Sequence, residues 1–445
     1  MSQPDLHHPA NRRWSLAFEV VNACSWSAVL GAPIILFLKG LGASATVLGV
    51  ALALLPLTQA LQILGARLLP RFGYRGLMVR GWTLRTVLVG LIAAVGVAVP
   101  WIGAVAAIWA TLALLAGFTI LRGITSCAWL PWISQLVPEE VRGRYLAWAS
   151  AMIQMSLIAC NLAYAAWLGA FPGSAGCAAI YAWACVMGFA AAWTMSRIPD
   201  APVAAEGGVG PVPWREMLRH PPFAALIRFN ILVFASLAAL GVLWVPVLRD
   251  IHHQSDGVIA VLPVWAAVAQ LMALPVLGMI VDRTGSRPML ACAVSMWVVH
   301  ALLWAALASG HLPLTWWALG LIQATAGFGG AAFTLANQRL LMAVVPGQGR
   351  SHFFALHSVA FALGQGIAPV LWGASLDLTQ GWSGFGLNAH AALYILAAAL
   401  LAVGAVMAGR LHEPRALSTP DFLRELLVRT PGRALARLAA LVESR

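Results

Sequence analysis

Apolar residues run in long stretches along this chain, with no strict alternation of apolar and polar positions. They fill residues 15–38, 45–66, 77–99, 104–133, 146–169 and 176–196, and return at 224–248, 257–279, 288–308, 313–341, 352–376 and 388–410. Each stretch reaches the roughly 20 residues that an α-helix needs to cross about 30 Å of hydrocarbon. Lipid offers the backbone no hydrogen-bond partner, so apolar runs this long mean helices, whereas barrel strands would alternate over about 10 residues. The pattern predicts an all-α polytopic membrane protein with twelve transmembrane helices in two pseudo-symmetric six-helix bundles, residues 14–196 and 223–411. A linker at 197–222 joins them, between a short N-terminal segment, 1–13, and a tail, 412–445.

Composition agrees: 61% of the 445 residues are hydrophobic and 9% charged, against about 25% charged in soluble proteins. The net charge of +12 comes from arginines in alternate connections: Arg12 and Arg13, Arg67, Arg71 and Arg75, Arg142 and Arg144, Arg215 and Arg219, Arg283 and Arg287, Arg350, then Arg410 and Arg415. The opposite loops hold little beyond Lys39 and Arg249. Positive loops stay inside, so both termini and the linker are expected in the cytoplasm of a multi-pass cell-membrane protein, a bacterial inner membrane being the expected site. Basic residues used this way orient helices and give no support to a nucleic-acid partner. The tail carries Leu423, Leu426 and Leu427 among Arg424 and Arg429, a pattern suited to a helix lying on an anionic leaflet. Six cysteines fall singly, without a CxxC pair or a metal-ligand cluster, so neither disulfide nor metal nor cofactor is expected.

Two pairs of loops match between the halves. Pro138-Glu-Glu-Val-Arg142-Gly-Arg144 follows the fourth span and Pro346-Gly-Gln-Gly-Arg350 the tenth, with Ala116-Gly117-Phe118 and Ala326-Gly327-Phe328 upstream. Pro70-Arg71-Phe72-Gly73-Tyr-Arg75 lies between spans two and three, and Asp282-Arg283-Thr-Gly285-Ser-Arg287 between spans eight and nine. With these loops the chain resembles the major facilitator superfamily, whose signature Gly-xxx-Asp-Arg-x-Gly-x-Arg/Lys is matched in full from Gly278 to Arg287. The first-half copy departs from it, with Ala66 for the Gly and Pro70 for the Asp. The resemblance implies that Arg71, Gly73, Arg75, Gly278, Asp282, Arg283, Gly285, Arg287, Arg142 and Arg350 serve gating, and that the carboxylate lock is lost in the first half.

The resemblance also places spans one, four, seven and ten at the centre of a solute path. Ionisable groups at depth are costly and so are candidates by default. Of fifteen acids only Glu19 lies clearly inside a span. Asn22 follows it by three residues on one helix face, and Ser25 extends the stripe. Arg122, near the middle of span four, is the expected partner of Glu19 and a candidate clamp for an anionic group. Gln154, Asn161, Asn230, Gln270, Gln323, His357 and Gln365 are further polar candidates, while His300 is expected to be structural. Arg85 is expected to reach the cytoplasmic face.

The expected function is secondary transport of a small organic solute by alternating access, proton-coupled and in the direction of efflux. The alternatives are an uncoupled facilitator and a non-transporting membrane scaffold. No enzyme constellation or ATP-binding loop is present in the sequence. The expected partners are a small-molecule substrate, protons and the bilayer, and the chain is expected to be a monomer.

Overall fold

The computed structural model describes residues 9–203, 214–345, 350–413 and Phe422. The expected amphipathic helices of the tail lie outside the described residues. Elements follow in the order α1 Pro9–Leu30, α2 Ala32–Gly40, α3 Ala45–Thr58, α4 Gln62–Ile102, α5 Ala104–Ser126, α6 Trp129–Leu136, α7 Glu139–Ala170 and α8 Ser174–Ser196. The short α9, Trp214–Arg219, forms within the expected linker, and α10 Pro221–Pro246, α11 Asp256–Thr284, α12 Ser286–Ala308, α13 Trp316–Val344, α14 Arg350–Leu378 and α15 Ala389–Gly409 follow. A two-residue antiparallel pair, β1 Ser383–Gly384 with β2 Leu387–Asn388, is the one sheet among the described residues.

Eleven stretches of the described residues are long and apolar enough to cross a membrane. One of them, Ala45–Ile102, has 58 residues, which at about 1.5 Å per residue is far more than one crossing requires. It turns at Gly73, whose φ of 69° and ψ of 171° are closed to most side chains, so this stretch supplies two crossings. Twelve spans result, as the hydropathy pattern predicts. The first span bends at Gly31, between α1 and α2, because Pro33 has no N–H to continue the hydrogen-bond ladder. Ser44, Thr315 and Asn388 cap α3, α13 and α15 by accepting hydrogen bonds from Val47, Ala318 and Ala391.

Two compact units emerge from the packing. The first comprises Met1–Pro211 with Gly241–Val264 and Phe361–Trp382. Inside it α1 packs on α7 and α8, and α4 on α5 and α8. Its core at one end is aromatic: Phe18, Tyr74, Trp82 and Trp132 are buried together with Leu77, Met78 and Ile133. The second comprises Val212–Leu240, Trp265–Ala360 and Ser383–Arg445. There α12 packs on α13 and α15, with Trp304 stacked 5.9 Å from Tyr394. His300 Nδ1 lies 2.8 Å from the Ile322 carbonyl oxygen, and its Nε2 accepts from Trp304 Nε1, in agreement with a structural role.

Candidate functional site

The polar stripe of α1 meets α4, α6 and α8 inside the first unit. Asn22 is buried, and its Oδ1 accepts from Trp82 Nε1 at 3.0 Å and from Arg85 Nη2 at 2.6 Å. Arg85 is only 2% exposed, and its guanidinium lies 3.8 Å from the centre of the Trp82 ring and 5.1 Å from that of Phe118. The expectation that Arg85 snorkels to the cytoplasmic face is therefore corrected. Asn22, the indole and the ring of Phe118 give it an interior seat with an acceptor and two π faces.

Glu19 and Arg122 do not pair. The Glu19 carboxylate accepts from Trp129 Nε1 at 2.8 Å. α6 begins at that tryptophan, and Phe18 packs 4.6 Å from its ring. Arg122 is half-buried, close enough to Arg85 for the two positive charges to act on each other. Near Glu19, the Tyr145 hydroxyl donates to Ser15 Oγ at 2.8 Å. Burial pushes Tyr145 up to about 12, so it remains a donor at physiological pH. Ser25 donates to the Ala184 carbonyl and thereby ties α1 to α8.

The other candidates scatter over both units. In the first, Gln154 is half-buried, Asn161 donates to Leu157 of its own helix, and Gln365 is half-buried and engaged. In the second, Gln270 is half-buried and Gln323 buried. Asn230 is fully buried with neither amide atom bonded. His357 Nε2 stands 3.5 Å from Asn337 Nδ2, and Asn337 Oδ1 is buried without a partner. Sequence reasoning missed Asn337, whose signal was an amide inside the apolar run of α13.

Charges at the corner where α2 meets α3 are densely paired. Lys39 Nζ lies 2.6 Å from Asp250, and Arg249 lies 3.0 Å from Asp256 while also donating to the Leu36 carbonyl. Asp377, at the end of α14, accepts from the Ala45 and Thr46 N–H groups at 2.9 and 2.8 Å and from the Thr46 hydroxyl at 2.6 Å. A carboxylate there satisfies orphan donors and meets the positive end of the α3 dipole. Glycines bring the helices close enough for this: a Cβ at Gly49 or Gly373 would strike the backbone of Pro369 or of Ala45.

The two signature turns are built alike. Gly73 and Gly285 both have positive φ, 69° and 88°. After Gly73, Asp200 accepts from the Arg75 N–H at 3.0 Å, 125 residues away in sequence. After Gly285, Glu413 accepts from the Ser286 N–H at 2.8 Å and from the Arg287 N–H at 2.7 Å, 126 residues from the latter. The first-half turn thus has a carboxylate despite Pro70. The Arg71 side chain is exposed beside the Phe72 ring, at 5.4 Å, and Arg75 is exposed as well. Gly278 is half-buried within α11. The side chains of Arg142, Asp282, Arg283 and Arg350 lie outside the described residues.

A family model described as Major Facilitator Superfamily matches residues 229–441. Over those residues the chain is similar to this superfamily. Among solved structures, a variant of the nucleoside transporter NupG superposes with a TM-score of 0.72 at 11% identity, covering 91% of this chain and 100% of its own. A bacterial homologue of the iron transporter ferroportin, in its inward-facing state, gives 0.65 at 14% identity, covering 90% and 98%. A transporter of the POT family gives 0.66 at 11% identity, covering 90% and 95%. At such identities the likeness is one of fold. No curated protein matches the chain. The match over residues 229–441 and the eleven apolar helices among the described residues indicate a multi-pass membrane protein, and its fold is that of these transporters.

Proposed function

We propose that this transporter moves a small organic solute by alternating access, with a proton carried on Glu19 as the coupling ion. One observation carries the reading: Glu19 is held by a neutral indole, Trp129, at 2.8 Å. Taking up or releasing a proton there breaks no ion pair, so the carboxyl group is free to change state as the protein cycles. Asn22 lies one helical turn away on α1, which links that proton to the polar stripe. Transporters of the same fold are named for nucleosides and peptides, which is consistent with an organic solute.

In this reading residues 14–196 and 223–411 rock about a midplane site. Gln154, Asn161, Asn230, Gln270, Gln323, His357 and Gln365 supply its polar lining, and the turns at Gly73 and Gly285 act in gating. Arginine-rich loops support cytoplasmic termini in a bacterial inner membrane, and efflux by a monomer is the working direction and state.

Flux in proteoliposomes under an imposed pH gradient tests the coupling. Glu19→Gln is expected to reduce gradient-driven flux at least about tenfold while sparing solute exchange, each tenfold step being about 1.4 kcal/mol. Driven flux equal to that of the wild type would remove Glu19 as the proton carrier.

A further inference from the structure

Arg85 and Arg122 are neighbouring interior cations in a unit where every acid whose side chain is described is engaged elsewhere. Glu19 is held by Trp129, Asp200 by the Arg75 N–H, Asp250 by Lys39, Asp256 by Arg249, and Asp377 by the start of α3. Among the described residues Arg85 reaches only the Asn22 oxygen and two aromatic faces. Arg122 has no acid partner among the described side chains, and its charge opposes that of Arg85.

Charge withdrawn from water needs a counter-charge, and a second cation alongside increases the need. A guanidinium presents a planar fork of donors that fits carboxylate and phosphate oxygens two at a time. Of the two side chains Arg122 keeps some exposure, whereas Arg85 is sealed behind Trp82 and Asn22. We infer that Arg122, backed by the fixed positive charge of Arg85, is the recognition site for an oxyanion, a carboxylate or phosphate group of the transported solute. Arg122 grips the anion. Arg85 is a positioning residue, which raises the local potential and is itself oriented by Asn22. The inference rests on the transporter reading and is independent of proton coupling through Glu19.

The test uses the full chain in phosphatidylcholine nanodiscs. Thermal unfolding is followed while sodium phosphate or sodium succinate is titrated against sodium chloride at constant ionic strength. At least one oxyanion is expected to raise the unfolding temperature saturably. Arg122→Gln is expected to weaken that response at least about tenfold in apparent affinity without lowering the ligand-free unfolding temperature, because it removes an unbalanced charge. Asn22→Asp builds the missing counter-charge beside Arg85; it is expected to raise the ligand-free unfolding temperature and to weaken oxyanion binding.

The inference is overturned by a wild type that responds to neither anion, or by undiminished affinity in Arg122→Gln. A fall in the ligand-free unfolding temperature of Arg122→Gln would identify a structural ion pair and overturn it equally. A response seen only in nanodiscs containing phosphatidylglycerol would assign the site to a lipid headgroup and overturn the solute assignment. Oxyanion binding without any counterflow of that anion in proteoliposomes would overturn the transport reading and leave the anion site standing.

Discussion

At the α2–α3 corner Lys39 meets Asp250 at 2.6 Å, Arg249 meets Asp256 at 3.0 Å, and the Asp377 carboxylate takes the first N–H groups of α3. Between α4 and α5 of the same unit, Arg85 has an amide oxygen and two aromatic rings for company, with the charge of Arg122 beside it. The corner is balanced by the chain itself, so its contacts form whether or not a solute is present, as suits a structural clasp. The arginine core is balanced only if something arrives from outside. Acids therefore have opposite effects at the two places: deleting one at the corner costs stability, and adding one in the core supplies it.

The largest cost at the corner is expected from Asp256→Ala. The Asp256 side chain is 8% exposed and that of Arg249 28%, so the loss falls between the value for a surface pair and that for a fully buried one, about 2 kcal/mol. It would be read as a lower unfolding temperature in detergent; an unchanged midpoint would erase the contrast with the core. Asp377→Asn comes next, at about 1 kcal/mol. The amide keeps an acceptor for one α3 N–H but loses the charge that faces the helix dipole. Most of this difference should survive in 1 M salt if the cap acts through its hydrogen bonds, whereas a difference that vanishes there would reduce it to a surface charge effect.

Much of the fold is legible in the sequence because its physics is local. Apolar runs of membrane-spanning length need no tertiary information, and the glycines at 73 and 285 stand where the repeated loops require a turn. Partnerships are legible only in part, since helix packing chooses them over long separations. Asp377 reaches Thr46 across 331 residues, and Asp200 reaches Arg75 across 125. Position in a loop said nothing of either contact. Pro70 removes the family's acid from the first signature turn, yet Asp200 supplies a carboxylate to that turn from the end of span six. Glu19 and Arg122 are the expected pair by depth and charge alone. The geometry instead gives Glu19 an indole that begins a separate short helix, and puts a second arginine beside Arg122. Arg85 was open to misreading for the same reason, because an acceptor at Asn22, 63 residues away, makes an interior seat possible.

Lys39→Ala should be the mildest break of the corner, about 0.5 kcal/mol or less. The Lys39–Asp250 contact is short, but the Asp250 side chain is 43% exposed and that of Lys39 19%, so water competes for both ends and salt screens what remains. Arg249 also stays in place without Lys39, since Asp256 and the Leu36 carbonyl still hold it. A double-mutant cycle with Asp250→Ala isolates the pair from the rest of the corner. A coupling of only a few tenths of a kcal/mol would leave Asp256 and Asp377 as the groups that fasten the clasp. Coupling well above about 1 kcal/mol would mean that the rim is far drier than its exposure indicates. Every acid at the corner would then be structural to a similar degree, and the contrast with the arginine core would be wider still.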